Sequence, residues 1–387
     1  MHEPPLASVC PVHRSFSFFG LITVLVNFFT VKRFDQYPLA EKLPFVSILV
    51  PARNEALNIA SCVDSLLAQD YPDFEVIVLN DNSTDDTSRI LAGLVQTDPR
   101  LRVLKGALLP DGWLGKHWAC HQLDRAAKGE LILFTDADTR HTPYMLRASV
   151  SALIAEHADI LTAFPHEQIV TWGERLLVPI IGWGIFTFVP IRLVQKMRWP
   201  ALSVTLGQFM LFRRIAYDAV GGYAAVKSEV IDDICLGRLI ISTGGEWRLL
   251  NGSRHVSCRM YRGFWEAVNG FSKSMFAVFD YRILPYILGW LIVGLAFIEP
   301  AVALVSRWLR FPLTSLPLNY ATLSVVISVV LFMLAYRRFQ FPAYLVFYYP
   351  LSLALFIAVI VRSLFQTARG TATWKDRVLD RPAMRWL

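Results

Sequence analysis

Residues 131–139 read LILFTDADT: four apolar residues, a threonine, then two aspartates separated by one alanine. A short, unbroken apolar run of this kind suits a strand buried on both faces, the condition of a parallel sheet. Two upstream runs share the design. Residues 46–50 (VSILV) lead into PARNE at 51–55, and residues 75–79 (EVIVL) lead into NDNSTDD at 80–86. Residues 101–104 supply a further short strand. Between these runs, apolar residues recur at helical spacing: Ile59, Val63, Leu66 and Leu67, then Ile90, Leu91, Leu94 and Val95, then the stretch 118–127. Asn54 stands where it can cap the first helix. Strand and helix alternate with short links, so the spacing predicts an α/β doubly wound sheet. Ligands bind such sheets outside the carboxyl ends of the strands. Three polar clusters fall at that edge: 51–55, 81–85 and 136–138.

The residues after the strands narrow the chemistry. No Gly-x-Gly-x-x-Gly follows the first strand, which removes the main support for a dinucleotide dehydrogenase, and no Walker A sequence is present. Asp136 and Asp138, two residues apart at a strand end, can instead share a divalent cation. Hard oxygen ligands suit Mg2+ or Mn2+, ions that bridge substrate phosphates.

The chain has 387 residues, 54% of them hydrophobic and 18% charged, with a formal charge of +7. Soluble domains average about 45–50% apolar and about 25% charged. This composition excludes disorder. Size and only five cysteines exclude a small disulfide-stapled secreted domain. The apolar excess is concentrated. Residues 16–31 are uncharged and are followed by Lys32-Arg33; they read as a membrane anchor rather than a cleaved signal peptide. Residues 284–305, 320–336 and 342–361 are apolar all round and read as membrane-spanning. Residues 176–194 are apolar but interrupted by Pro179, Gly182, Gly184 and Pro190, and read as buried or interfacial.

The resulting division is an anchor segment at 1–43, a soluble domain at 44–280, membrane helices at 281–364 and a basic tail at 365–387 carrying Arg369, Lys375, Arg377, Arg381 and Arg385. Lys32-Arg33 place the soluble domain on the cytoplasmic side of the cell membrane, and the tail's charges favour the same side. One span before the domain and three after it conflict with that arrangement. One late segment is therefore expected to be re-entrant or interfacial, and the Glu299-Pro300 interruption marks 284–305.

PARNE at 51–55, DNSTD at 81–85, DAD at 136–138 and IDD-x-x-L-x-R at 231–238 occur in that order. Over about residues 44–280 the chain thereby resembles the family 2 glycosyltransferases, which have a GT-A fold. GWLGK at 112–116, GQFMLFRR at 207–214, MYRGFWEAVNGFSKS at 260–274 and TWKDR at 373–377 resemble the membrane-bound subgroup that glycosylates carotenoids or hopanoid-type lipids. The resemblance implies that Pro51, Arg53, Glu55 and Asp81 hold a nucleoside, usually uridine, with Asp81 accepting from the base ring N–H. It implies Asp136 near ribose and diphosphate, Asp138 as the metal ligand, and Lys116 at the phosphates or the acceptor loop. The general base of the family matches Asp233, and Asp232 replaces the usual glutamate. That replacement is shorter by one methylene and leaves open which carboxylate faces the acceptor. The implied reaction is one inverting displacement from a nucleotide-sugar donor to a lipid acceptor.

Other residues have plainer readings. Asp85 and Asp86 suit a helix N-terminus. His117 and His121 are four apart, but no HExxH pattern accompanies them. His255 can reach a diphosphate or metal, as histidine does in some GT-A enzymes. The five cysteines form no CxxC pair. The stretch 247–274, rich in arginine and aromatics, has a composition that nucleic-acid binding also uses; between membrane segments it reads as a lipid headgroup surface or acceptor groove, with no nucleic-acid partner. No Gln-x-x-Arg-Trp sequence follows the acidic pair, which favours a single transfer over polymer synthesis. The leading expectation is transfer of one sugar, from UDP-glucose, to a carotenoid or other isoprenoid hydroxyl. Hopanoids, diacylglycerol and polyprenyl phosphate are the alternative acceptors. A transporter or scaffold with a degenerate GT-A domain is the alternative class.

Overall fold

The apolar runs become strands where the sequence places them: β1 (Val46–Ala52), β2 (Phe74–Asn80), β3 (Leu101–Lys105) and β4 (Leu131–Phe134). The computed structural model describes residues 10–371, 373–374, 377–378 and 382–387. Lys375 and Asp376 of TWKDR, and Arg381 of the basic tail, lie outside the described residues. These four strands are parallel, in the order β3-β2-β1-β4. Their register pairs Ala52 with Asn80 and Leu49 with Phe134, so the residues that follow them emerge at one edge. Ile48, Val50, Val76, Val78 and Leu133 are fully buried, and Ile59, Val63, Leu66 and Leu91 join the same core. Burying each such aliphatic side chain contributes about 1.5–3 kcal/mol. Gly129 leads into β4 because nothing larger fits: an added Cβ would lie 2.4 Å from the Ser47 backbone nitrogen.

The second half of the sheet departs from the doubly wound expectation. After β5 (Thr139–His141), β6 (Ile160–Phe164) and β7 (His166–Glu167), strand β8 (Met210–Arg213) inserts antiparallel between β4 and β6. Strand β9 (Trp247–Asn251) pairs parallel with β6, giving the mixed order β3-β2-β1-β4-β8-β6-β9. Phe209, Met210, Leu211 and Phe212 are all fully buried, so this run has no alternation from which to read a strand's direction. A second sheet, β5-β10-β7, is completed by β10 (Val256–Cys258). These elements make one compact unit of residues 30–168 and 191–260.

Asn54 does not cap the first helix. That helix, Ile59–Leu67, begins later, and Asn54 has a left-handed φ of 54°. Its Oδ1 accepts from the Thr84 backbone N–H at 2.8 Å, bracing one strand-end loop against the next.

The other unit comprises residues up to 29, 169–190 and from 261 onward. Three of its helices are long and apolar enough to cross a membrane: Ile283–Trp308, Leu318–Phe339 and Ala343–Arg369. The expectation that Glu299-Pro300 breaks the first of these is corrected. A π turn at Gly294–Ile298 passes directly into helix Glu299–Trp308, and Pro300 occupies its first turn. The π turn, in which the Glu299 N–H donates to the Gly294 carbonyl, changes the hydrogen-bond register just ahead of Pro300, which has no N–H to place. Of residues 16–31, all but Val31 fall in helix Cys10–Thr30, whose apolar part, Phe16–Thr30, is shorter than a span. Within 176–190, Leu177, Trp183 and Phe186 are buried, and Trp183 stacks on Phe332 with ring centroids 4.3 Å apart.

Candidate active site

Where β1 and β2 end, the chain builds a tightly braced double loop. Arg53 Nη1 donates to the Asp81 carbonyl at 2.8 Å and lies 4.0 Å from Asp81 Oδ2. The Glu55 backbone N–H donates to Thr87 Oγ1 at 2.8 Å, and Ala56 N–H to Asp85 Oδ2 at 3.0 Å. Asp85 also accepts from Thr87 N–H at the start of helix Thr87–Leu94, while Asp86 pairs with Arg89. Asp85 is thus both a helix-start acid and a loop brace. Pro51 is a residue of β1, paired in register with Leu79. Arg53, Glu55 and Asp81 follow the strands and stand at the edge.

The loop after β4 is fixed by its threonines. Thr135 Oγ1 donates to the Gln208 carbonyl at 2.7 Å, and Thr139 Oγ1 to the Asp136 carbonyl at 2.7 Å. The two aspartates then have different surroundings. Asp136 Oδ1 is 2.7 Å from Lys116 Nζ, which comes from helix Gly115–Ala126. Burial opposes the Lys116 charge, but Asp136 and Asp232 outweigh it and hold the ammonium well above its ordinary range. Asp138 has a buried Oδ1 with no hydrogen-bond partner among the described residues. Burial first, then the charges of Asp136 and Glu55, push its carboxyl up to about 7, while a Cys258 thiol hydrogen bond opposes the shift.

Asp232 and Asp233 open helix Asp232–Ser242 and have different surroundings. Asp232 Oδ2 accepts from the buried Tyr223 hydroxyl at 3.0 Å. Burial raises the Asp232 carboxyl, but Lys116, His117 and Tyr223 outweigh burial and hold it below its ordinary range. Asp233 instead faces the edge. Its Oδ2 accepts from Gly207 N–H at 2.9 Å and its Oδ1 from Ile234 N–H at 2.8 Å. Burial and the adjacent Asp232 charge push its carboxyl up to about 7. Gly207 is where the two halves meet: a Cβ built there would lie 3.3 Å from Asp233 Oδ2 and 3.4 Å from Lys116 Nζ. Environments that drive neighbouring carboxyls apart separate an ionised group from one poised to exchange a proton near neutral pH.

Several residues lie elsewhere. His117 Nε2 is 2.8 Å from the Glu229 carbonyl, whereas His121 packs on Trp113 and Trp118, so the two histidines do not face one ligand. His255 bonds Thr142 Oγ1 at 3.0 Å through Nδ1 and stacks on Phe34. Of the arginine-aromatic stretch, Trp247 is buried and donates to Thr205 Oγ1, Arg248 pairs with Glu156 and Glu246, and Arg254 pairs with Asp35. Trp247 and Arg248 are held within the α/β unit, whereas the Arg254 side chain is 56% exposed. A Gln195-Lys196-Met197-Arg198-Trp199 run does occur ahead of the acidic pair. There Gln195 donates to the Leu249 carbonyl at 3.4 Å and Arg198 pairs with Glu246.

Sequence reasoning missed Tyr223, Gln208, Cys258 and Glu167. Gln208 Nε2 donates to Glu167 Oε1 at 3.3 Å, and Glu167 Oε2 is buried without a partner among the described residues. Burial, with the charges of Asp138 and Asp136, pushes the Glu167 carboxyl well above its ordinary range. Gln208 lies inside the GQFMLFRR stretch; no local pattern announces the other three, which are brought in by pairing and packing across long sequence distances.

The donor set fits a hard divalent cation. Asp138 presents a buried oxygen with no partner beside Asp136. Among the described residues no group of three His, Cys, Asp or Glu is arranged to hold an ion without further ligands. That matches ions such as Mg2+, which take one or two carboxylates and complete their shell with phosphates and water.

Residues 47–221 match the family model for glycosyl transferase family 2. The chain is 26% identical, over 351 residues, to 4,4'-diaponeurosporenoate glycosyltransferase of Staphylococcus aureus strain USA300, covering 86% of this chain and 87% of that protein. The homologue of strain MRSA252 is likewise 26% identical, over 359 residues, with the same coverage of each chain. Among solved structures, the chain is similar to a mannosyltransferase from Pyrobaculum calidifontis in complex with GDP-mannose and Mn2+. The TM-score is 0.56 at 19% identity, covering 92% of this chain and 99% of that one. At that identity the likeness is one of fold.

Proposed function

We propose that this chain is a family 2 glycosyltransferase of GT-A-like fold that moves one sugar from a nucleotide-sugar, UDP-glucose, to a hydroxyl of a carotenoid or other isoprenoid lipid. The observation that carries this reading is the meeting at Gly207, where the Lys116–Asp136 pair of the diphosphate edge adjoins Asp233. Donor and proton acceptor then share one cleft. The lipid acceptor is supported by 26% identity to a protein named for a carotenoid substrate and by three helices long and apolar enough to cross a membrane. Lys32-Arg33 support a cell-membrane location with the catalytic unit cytoplasmic.

In this reading Arg53, Glu55 and Asp81, with Pro51 behind them, line the nucleoside subsite. Lys116 and Asp136 stand at the diphosphate. A divalent cation held at Asp138, Mg2+ or Mn2+, supplies Lewis-acid neutralisation of the leaving diphosphate. Asp233 takes the proton of the acceptor hydroxyl; the oxygen bonds to the anomeric carbon as the bond to the diphosphate oxygen breaks, inverting that carbon. A base acts on such a proton from about 2.6–3.2 Å. Asp232 stays ionised, and Tyr223 holds it away from the acceptor.

The relative's name favours a second reading, because an -oate is a carboxylate and an ionised carboxylate needs no base. The two readings separate in the product. A glycoside formed at a hydroxyl survives mild alkali, whereas a glycosyl ester is cleaved.

The test uses the full chain in detergent with UDP-[14C]glucose, Mn2+ and hydroxylated or carboxylated carotenoids. Lipid-extractable label is expected with the wild type, stable to alkali, and lost in Asp138→Ala. Wild-type labelling no greater than that of Asp138→Ala would overturn the reading.

A further inference from the structure

We propose that Glu167 is a second protein carboxylate of the divalent-cation pocket, placed beside Asp138 by the small sheet β5-β10-β7. The inference rests on the cation-assisted reading above. Its basis is register. Cys258 of β10 pairs with Thr139 of β5 on one side and with Glu167 of β7 on the other. Residues directly opposite across strands project on the same face with neighbouring Cβ atoms, so Thr139, Cys258 and Glu167 form one row. Asp138 immediately precedes Thr139, in the turn that leads into β5. Glu167 therefore stands one strand over from Cys258, whose partner on β5 is the residue next to Asp138.

The oxygens on this row divide by whether they are satisfied. Asp136 has Lys116 at 2.7 Å. Glu167 Oε1 accepts from Gln208 Nε2 at 3.3 Å, and Gln208 is anchored to the β4 end through its carbonyl and Thr135. What remain are Asp138 Oδ1 and Glu167 Oε2, both buried and both without a hydrogen-bond partner among the described residues. A buried carboxylate oxygen without a donor is costly to maintain. A hard cation satisfies two such oxygens at once, and diphosphate oxygens and water complete its shell. Gln208 then orients Glu167, as an outer hydrogen bond orients a metal-binding carboxylate.

Binding of Mn2+ alone tests this without reference to turnover. The full chain in detergent is titrated with Mn2+, and the free aquo-ion is read by electron paramagnetic resonance. Glu167→Gln keeps the shape and the Gln208 contact, and is expected to raise the Mn2+ Kd at least tenfold. Glu167→Asp, which keeps the charge but shortens the reach, is expected to fall between it and the wild type. Water-proton relaxation of Mn2+-loaded protein at saturating metal gives a second readout: the Glu167→Gln ion is expected to hold one more water than the wild-type ion. Unchanged affinity and hydration in Glu167→Gln, with binding lost in Asp138→Asn, would overturn the Glu167 assignment and leave the cation reading standing. Wild-type Mn2+ binding that Asp138→Asn does not weaken would overturn both.

Discussion

Two pairs of aspartates carry this site, and they solve the same electrostatic problem differently. In the β4 loop, Asp136 has a lysine partner, while Asp138 keeps a buried oxygen with no partner among the described residues. At the helix start, Asp232 has a tyrosine partner, while Asp233 is held by two backbone N–H groups. In both pairs one member is pushed up to about 7, mainly by burial and by its neighbour's charge. The difference lies in what is left for a ligand. Asp138 lacks a positive charge in contact, which a cation supplies. Asp233 has its hydrogen bonds and faces a lysine across Gly207, which suits a group that gains a proton during reaction and must be ionised before it. Lys116 links the pairs: it contacts Asp136, and its charge acts on Asp232 and Asp233.

Removing the carboxylate proposed as proton acceptor separates the pairs most sharply. Asp233→Asn keeps the side-chain shape, and transfer is expected to fall by about 10²–10⁴-fold, the usual worth of a positioned base. Donor affinity, measured by UDP titration, is expected to stay within a few-fold of wild type. A collapse of UDP binding would move Asp233 into the donor subsite and erase the distinction between the pairs.

Lys116→Met strikes both pairs, and its effect is expected to be the next largest. Leaving one partner of a buried ion pair alone costs about 3–5 kcal/mol, less here because Lys116 Nζ is 22% exposed on its side chain. A loss of about 10²-fold in kcat/KM is expected, about 2.7 kcal/mol of transition-state stabilisation. The pH profile carries the diagnostic sign. Asp233 must be unprotonated to act, so wild-type transfer is expected to rise with pH and level off above about 7. The Lys116 ammonium favours the Asp233 anion, so its removal moves that limb to higher pH. A limb that stays in place in Lys116→Met would show that the lysine serves the donor side alone.

Much of this was legible in sequence because it is local. A four-residue apolar run followed by Thr-Asp-Ala-Asp marks a strand and its edge within nine residues, and the structure places β4 at those residues. The first four strands and the helices between them follow from the same kind of local signal. The direction of β8 was not legible: Phe209 through Phe212 are uniformly buried, and pairing to β4 and β6 depends on partners roughly fifty or more residues away. Tyr223 and Glu167 share that origin, since each reaches the site through strand pairing or helix placement rather than through a motif. The Asn54 cap failed for a related reason. The contact with Thr84 joins two strand-end loops that one-dimensional spacing does not connect. The Glu299-Pro300 break failed because an upstream π turn lets proline occupy a helical first turn.

The smallest expected effect tests how closely the pairs are set against each other. Gly207 has no left-handed φ, so alanine there brings no backbone strain, and the N–H that holds Asp233 is retained. Only the methyl is new. It would lie 3.3 Å from Asp233 Oδ2 and 3.4 Å from Lys116 Nζ, distances at which each neighbour must give by a few tenths of an ångström. Both contacts are the ends of flexible side chains, so the cost is at the low end of the 1–3 kcal/mol typical of overpacking. A fall in kcat of about 3- to 10-fold is expected, by the same arithmetic of about 1.4 kcal/mol per tenfold. The donor KM and the thermal midpoint are expected to remain near wild type. A hundredfold loss with normal stability would mean that the space above Gly207 is occupied by substrate in the reaction. The gap between the Lys116 side and the Asp233 side would then be the acceptor's own seat, rather than a seam between two carboxylate pairs.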